Sequence, residues 1–157
     1  MDPLSVLSVA AGVVQFVDFS SRLIRHIAEL NGSDIGNSRR SGELLENAEL
    51  LQSLTFSIIS NLSPETLHRK LTDREEELAL LCRECNSTAI ELSGILRRLS
   101  PGIKLGKWES VKIAFDAFKS ERKVASLSQK LEQFKIHLTL NMVADIRYVQ
   151  NTISHVK

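Results

Sequence analysis

The chain has little of what breaks regular structure. Its 157 residues include only 7 glycines and 3 prolines. So few turn formers over this length predict few loops and long elements, with helix the natural element. Aromatic residues make up 5%, with one Trp and one Tyr. That leaves little with which to stack nucleic-acid bases. The net charge is +1, from 20 Lys and Arg against 19 Asp and Glu, so no whole-molecule field draws the chain to a polyanion. Nucleic acid is not an expected partner.

Cysteine is equally scarce. Cys82 and Cys85 stand in "LLCRECN". Zinc needs four ligands, and there is no second C-x-x-C, while His26, His68, His137 and His155 are scattered. The surrounding residues read as helix interior, so two structural thiols on one face are expected, with a redox or metal pair as the lesser alternative. The chain has no phosphate-cradling glycine loop and no G-x-S-x-G. The "REEE" at 74–77 reads as an acidic helix start rather than a catalytic pair. No enzyme, cofactor or metal site is predicted.

Charge is also missing locally. From residue 3 to residue 17 fifteen positions carry none. A signal peptide would want a basic start, and here the only early charge is Asp2. A spanning helix needs about 20 apolar residues, and Asp18 interrupts too soon. A buried helix that is apolar nearly all round remains.

What is present is helical periodicity. Asp2-Pro3 predicts an N-cap and first turn. Leu4, Val6, Leu7, Val9, Val13, Val14, Phe16 and Val17 are followed by a narrower stripe ending near Ile27, and "NGSDIGNS" at 31–38 ends the helix. A second helix is expected over about 41–59, its apolar face formed by Leu44, Leu45, Ala48, Leu51, Leu54, Phe56 and Ile58. A connector containing Pro64 follows, with room for a helical turn at 65–70. A third long helix should start at Thr72 or Asp73 and bury Leu78, Leu81, Cys82, Cys85, Ala89, Leu92, Ile95, Leu96 and Leu99. After the break "SPGIKLGK" at 100–107, Trp108, Val111, Phe115 and Phe118 mark a shorter helix. A long last one runs from about 120 to 156 on Leu127, Leu131, Phe134, Leu138, Met142, Ile146, Val149 and Ile153. The fold class is therefore all-α, a helical bundle of about five helices with a hydrophobic first helix and a long last one. Residues 1–157 are expected to form one domain, and the stripe running up to Lys157 predicts a piece of something longer.

The flat net charge hides a polarity along the chain. From Glu43 to Glu91 there are ten acids against four basic residues; from Arg97 to Lys135 there are ten basic residues against four acids. Two readings stand: solvated halves that attract each other within the bundle, or a basic surface for anionic lipid. On the second, Arg97, Arg98, Lys104, Lys107, Lys112, Lys119, Arg122 and Lys123 are the candidate head-group contacts, beside Lys130 and Lys135.

Three segments carry a family resemblance: "MDPLSVLSVAAGVVQFVDFSSRLI", "LLCRECNSTAIELSGILRRL" and "KWESVKIAFDAFKSERKVASLSQKLEQFKIHLTLNMV". In this order, over most of the chain, they resemble the N-terminal helical domains of fungal NLR-like (STAND) proteins, related to HeLo and HeLo-like domains. The resemblance implies a HeLo-like bundle ahead of an NTPase and repeat sensor, acting in programmed cell death of the heterokaryon-incompatibility type. It implies a domain that is cytoplasmic at rest. On activation it would oligomerise with itself and bring its first helix, residues 4–17, to anionic lipids of the plasma membrane. The competing expectation is a non-toxic adaptor bundle that recruits partner proteins.

Overall fold

In a computed structural model, residues 3–36, 38–99 and 105–155 are described, with side chains over 12–36, 39–99, 108–140 and 150–155. The helices are α1 (Pro3–Glu29), α2 (Ser38–Asn61), the short α3 (Pro64–Leu67), α4 (Asp73–Leu96), α5 (Leu105–Ser120) and α6 (Arg122–His155), with a 3-10 turn at Asp34–Gly36. The all-α bundle is therefore the fold, and no strand occurs among the described residues. Expected boundaries moved little: α2 gains about a turn, and the turn after Pro64 is a helix ending in His68 at φ 55. The N-cap expected at Asp2 lies outside the described residues, as does most of the 100–107 break.

α4 starts as its sequence requires. Thr72 caps it, accepting from Glu75 N while the Glu75 carboxylate takes the Thr72 N–H, a complete capping box. Arg69 forks onto the same carboxylate at 2.7 and 2.8 Å, and this pairing holds the Glu75 carboxyl down at about 2.

Cross-helix bonds give the topology. Glu49, Gln52 and Thr55 of α2 meet Arg97, Ser93 and Asn86 respectively, so α2 and α4 run antiparallel. Glu91 and Glu84 of α4 meet Lys123 and Lys130, so α4 and α6 do too. The end of α1 lies beside the start of α6, Arg25 and Ala28 lining one groove with Val124 and Ala125, and Lys119 Nζ at the end of α5 donates to Leu30 O at 2.7 Å. α1, α2, α4 and α6 thus form an up-down-up-down ring. α5 crosses one end of it, with Phe115 and Phe118 fully buried and their rings 6.4 Å apart. Gly36 is fixed by that crossing, since a Cβ there would overlap the Trp108 ring.

The core follows the expected stripes: Phe16, Val17, Leu23, Ile24 and Ile27 from α1; Leu44, Ala48 and Leu51 from α2; Leu78 to Leu96 from α4; and Val124, Leu127, Leu131 and Phe134 from α6. Two expectations are corrected. Phe56 is 75% exposed, because Thr55 takes the inward position and the next residue lies about 100° round the helix. Ile153 is 60% exposed, and residues 150–155 are all exposed. At 34 residues α6 is ten longer than α2 or α4, an overhang of about 15 Å. The stripe residues Met142, Ile146 and Val149 lie outside the described side chains.

Candidate functional site

The residues singled out from the sequence fall into two groups that the fold keeps apart. Leu4, Val6, Leu7 and Val9 lie on the first turns of α1, their side chains outside those described. Val13, Phe16 and Val17 are core, while Val14 is 42% exposed. In the resting bundle, then, part of the apolar stretch is structural. Burying Phe16, Val17, Leu23, Ile24 and Ile27 contributes at most about 8–15 kcal/mol. That equals the whole stability of an ordinary domain. Val13 and residues 16–27 cannot leave while the bundle stays folded, which leaves only the turns before Val13 outside that constraint. The ten helical residues 3–12 extend about 15 Å, against a bilayer core of about 30 Å. Consistently, among the described residues no helix is long and apolar enough to cross a membrane.

The basic candidates gather at the other end of α1. Lys119 is bonded to Leu30 O, and Lys112 stands 5.7 Å over the Trp108 ring beside the 32–36 loop. Arg97 pairs with Glu49 at 2.8 Å, and Lys123 pairs with Glu91 and Glu121. Among the described residues no carboxylate pairs with Arg98 or Arg122. Lys104 lies outside the described residues and Lys107 outside the described side chains. From Leu4 to Glu29 the axis of α1 covers about 38 Å. The apolar start and the basic end therefore cannot both touch one flat surface while α1 stands upright to it.

The charge polarity of the sequence is partly spent inside the molecule. Arg97–Glu49, Lys123–Glu91 and Lys130–Glu84 each join a basic residue of the second half to an acid of the first. All are partly exposed, so each contributes up to about 1 kcal/mol. They fix register more than they stabilise.

Two features were not foreseen. Between α1 and α6 runs a groove of about 590 Å³ lined by Ser21, Ile24, Arg25, Ala28, Lys119, Val124, Ala125, Ser128, Gln129 and Glu132. Ser21 Oγ is buried with no hydrogen bond, and Ser20 Oγ, beside the Cys85 thiol, makes none of ordinary geometry. Each such hydroxyl costs on the order of 1 kcal/mol or more. The second feature is on α6, where "FKIHLTLNM" (134–142) alternates apolar and polar residues. In a helix that pattern turns Phe134 and Leu138 inward and leaves Ile136 and Leu140 out, 50% and 61% exposed. The alternating positions are the detectable signal; a strand would have placed all of them on one face.

Cys82 and Cys85 are fully buried, and burial pushes both thiols up to about 12. At neutral pH they are protonated, with neither the charge nor the access that nucleophilic attack or metal binding requires. No cluster of three or more His, Cys, Asp or Glu suited to a metal occurs among the described residues.

No protein-family model, curated protein or solved structure matches the chain.

Proposed function

We propose that the chain is the N-terminal effector domain of a fungal NLR-like receptor, promoting programmed cell death by oligomerising and seating the start of its first helix in an anionic membrane. The sequence resemblance supports the family. The observation that carries the mechanism is the division of α1: residues 16–27 are locked in the core, while Val14 is already exposed. On this reading the bundle stays folded on activation. The turns before Val13 seat in the membrane interface as an apolar anchor instead of crossing it, with exposed Val14 beside them, and several copies together supply the hydrophobic area that one lacks. With α1 lying along the surface, Arg98 and Arg122 can add electrostatic attraction, about 1 kcal/mol for each residue at an anionic leaflet.

Val14 makes the test clean, because a charge at an exposed position spares the core. The purified chain is mixed with phosphatidylserine-containing and with purely phosphatidylcholine vesicles, and flotation and dye release are read. The expected result is binding and leakage with the anionic vesicles, weakened several-fold in Val14→Glu at unchanged melting temperature. Absence of binding in every oligomeric state refutes the proposal.

The exposed Ile136 and Leu140 favour a second reading, an adaptor bundle that recruits partner proteins through the outer face of α6. It predicts self-association or partner binding that is indifferent to lipid and lost in Ile136→Glu/Leu140→Glu.

A further inference from the structure

Ser126 is exposed on the second turn of α6. Arg122 and Lys123 lie four and three residues before it and Lys130 four after, spacings that put all three cations on its side of the helix. With Glu84, Ser87 and Thr88 of α4, Ser126, Lys123 and Lys130 line one narrow groove between α4 and α6. Those two lysines are the ones that clamp α6 to α4, through Glu91 and Glu84. The sequence "RKVAS" places Arg and Lys four and three residues ahead of a hydroxyl, the charge pattern a basophilic serine kinase reads.

We propose that Ser126 is a phosphorylation site, and that its phosphate takes Lys123 and Lys130 away from α4 and so loosens the α4–α6 seam. In the transfer a protein kinase moves the γ-phosphoryl group of ATP. A bond forms between Ser126 Oγ and the γ-phosphorus, the bond from that phosphorus to the β–γ bridging oxygen breaks, ADP leaves, and the hydroxyl proton passes to the kinase's base. The product carries a charge of about −1.5 to −2 with three acceptor oxygens. Arg122, unpaired among the described residues, and the two lysines answer it on α6 itself. Glu84 and Glu91 then lose their cations and face a dianion. Because the answering cations sit at helical spacing on α6 itself, α6 stays helical while its contact with α4 weakens. This inference stands on the α4–α6 geometry and does not depend on membrane binding.

The test incubates the 157-residue chain with ATP and a basophilic serine kinase, maps the phosphate by mass spectrometry, and follows amide hydrogen exchange over 84–91 and 123–130. Expected are one phosphoryl group at Ser126, none in Ser126→Ala, and slower labelling in Arg122→Gln, which leaves both clamps intact. The phosphorylated chain and Ser126→Glu should exchange about tenfold faster in both segments, as losing two exposed pairs predicts. Labelling at other serines but not Ser126 overturns the site. Phosphate at Ser126 with unchanged exchange overturns the switch.

Discussion

The two long seams of the bundle are built differently. Between α2 and α4 the polar atoms answer one another: Gln52 Nε2 donates to Ser93 Oγ at 2.9 Å, Ser93 donates to Ala89 O at 2.8 Å, and the Thr55 hydroxyl is shared between Gln52 O and Asn86 Oδ1 at 2.9 and 3.2 Å. Between α1 and α6 there is a groove of about 590 Å³, and the Ser21 hydroxyl is buried without a partner. A satisfied polar seam fixes one register and resists opening, whereas an unsatisfied one carries a standing cost. The contrast identifies α2–α4 as the frame and α1–α6 as the joint.

Core truncation gives the largest effect. Leu51→Ala, at a side chain 1% exposed on α2, should lower unfolding free energy by about 2–5 kcal/mol. Ala125→Leu, which grows into the α1–α6 groove, should change it by less than about 0.5 kcal/mol. Denaturant unfolding of both variants measures the difference, and an equally damaging Ala125→Leu would mean the groove is a packed seam.

The same chemical change should have opposite signs on the two seams. Ser93→Ala strips Gln52 of its acceptor and should cost about 1 kcal/mol. Ser21→Ala removes an unpaired hydroxyl and should gain up to about 1 kcal/mol. Both acquire the same helix propensity, so the gap between them isolates the hydrogen bonding. Matching shifts would erase the distinction.

At the end of the frame, the Glu75 carboxyl is held at about 2, chiefly by its hydrogen bonds from Arg69. A group whose folded pKa lies below its unfolded value adds stability above the unfolded value and loses it as pH falls. The chain should therefore lose this contribution between about pH 4.5 and 2. Glu75→Gln should be less stable at neutral pH and flatter across that window, as read by thermal melts. A further small gain is expected at His68, whose φ of 55 is the left-handed region that favours glycine. His68→Gly should raise stability by about 0.5–1 kcal/mol.

How much of this was legible in the sequence follows from the range of each interaction. The Glu75 half of the capping box came from the structure, but the start of α4 is a local signal and was readable to within one residue, at Thr72 or Asp73. So were the stripes of α4 and α5, since burial at helical spacing is a one-dimensional signal. Phe56 was misplaced because Leu54, Phe56 and Ile58 alternate with hydroxyl residues, and residue type alone does not say which of them a helix turns inward; here Thr55 takes the buried position. The uneven charge was plain, yet its pairing was not, because Lys130–Glu84 and Lys123–Glu91 depend on how α4 and α6 register across 46 and 32 residues. The Gln52–Ser93 bond spans 41 residues and left no trace in local pattern. For the candidate site, the apolar start and the basic cluster were each visible. Their placement at opposite ends of α1 was not, since it follows from the up-down topology.

The central claim is that α1 has a releasable start on a frame that stays closed. Hydrogen exchange measured with and without phosphatidylserine vesicles tests it most directly. The account predicts that added vesicles change protection over residues 3–12, while amides of α2 and α4 keep theirs. Loss of protection in α2 and α4 together with α1, or no change anywhere, would contradict it.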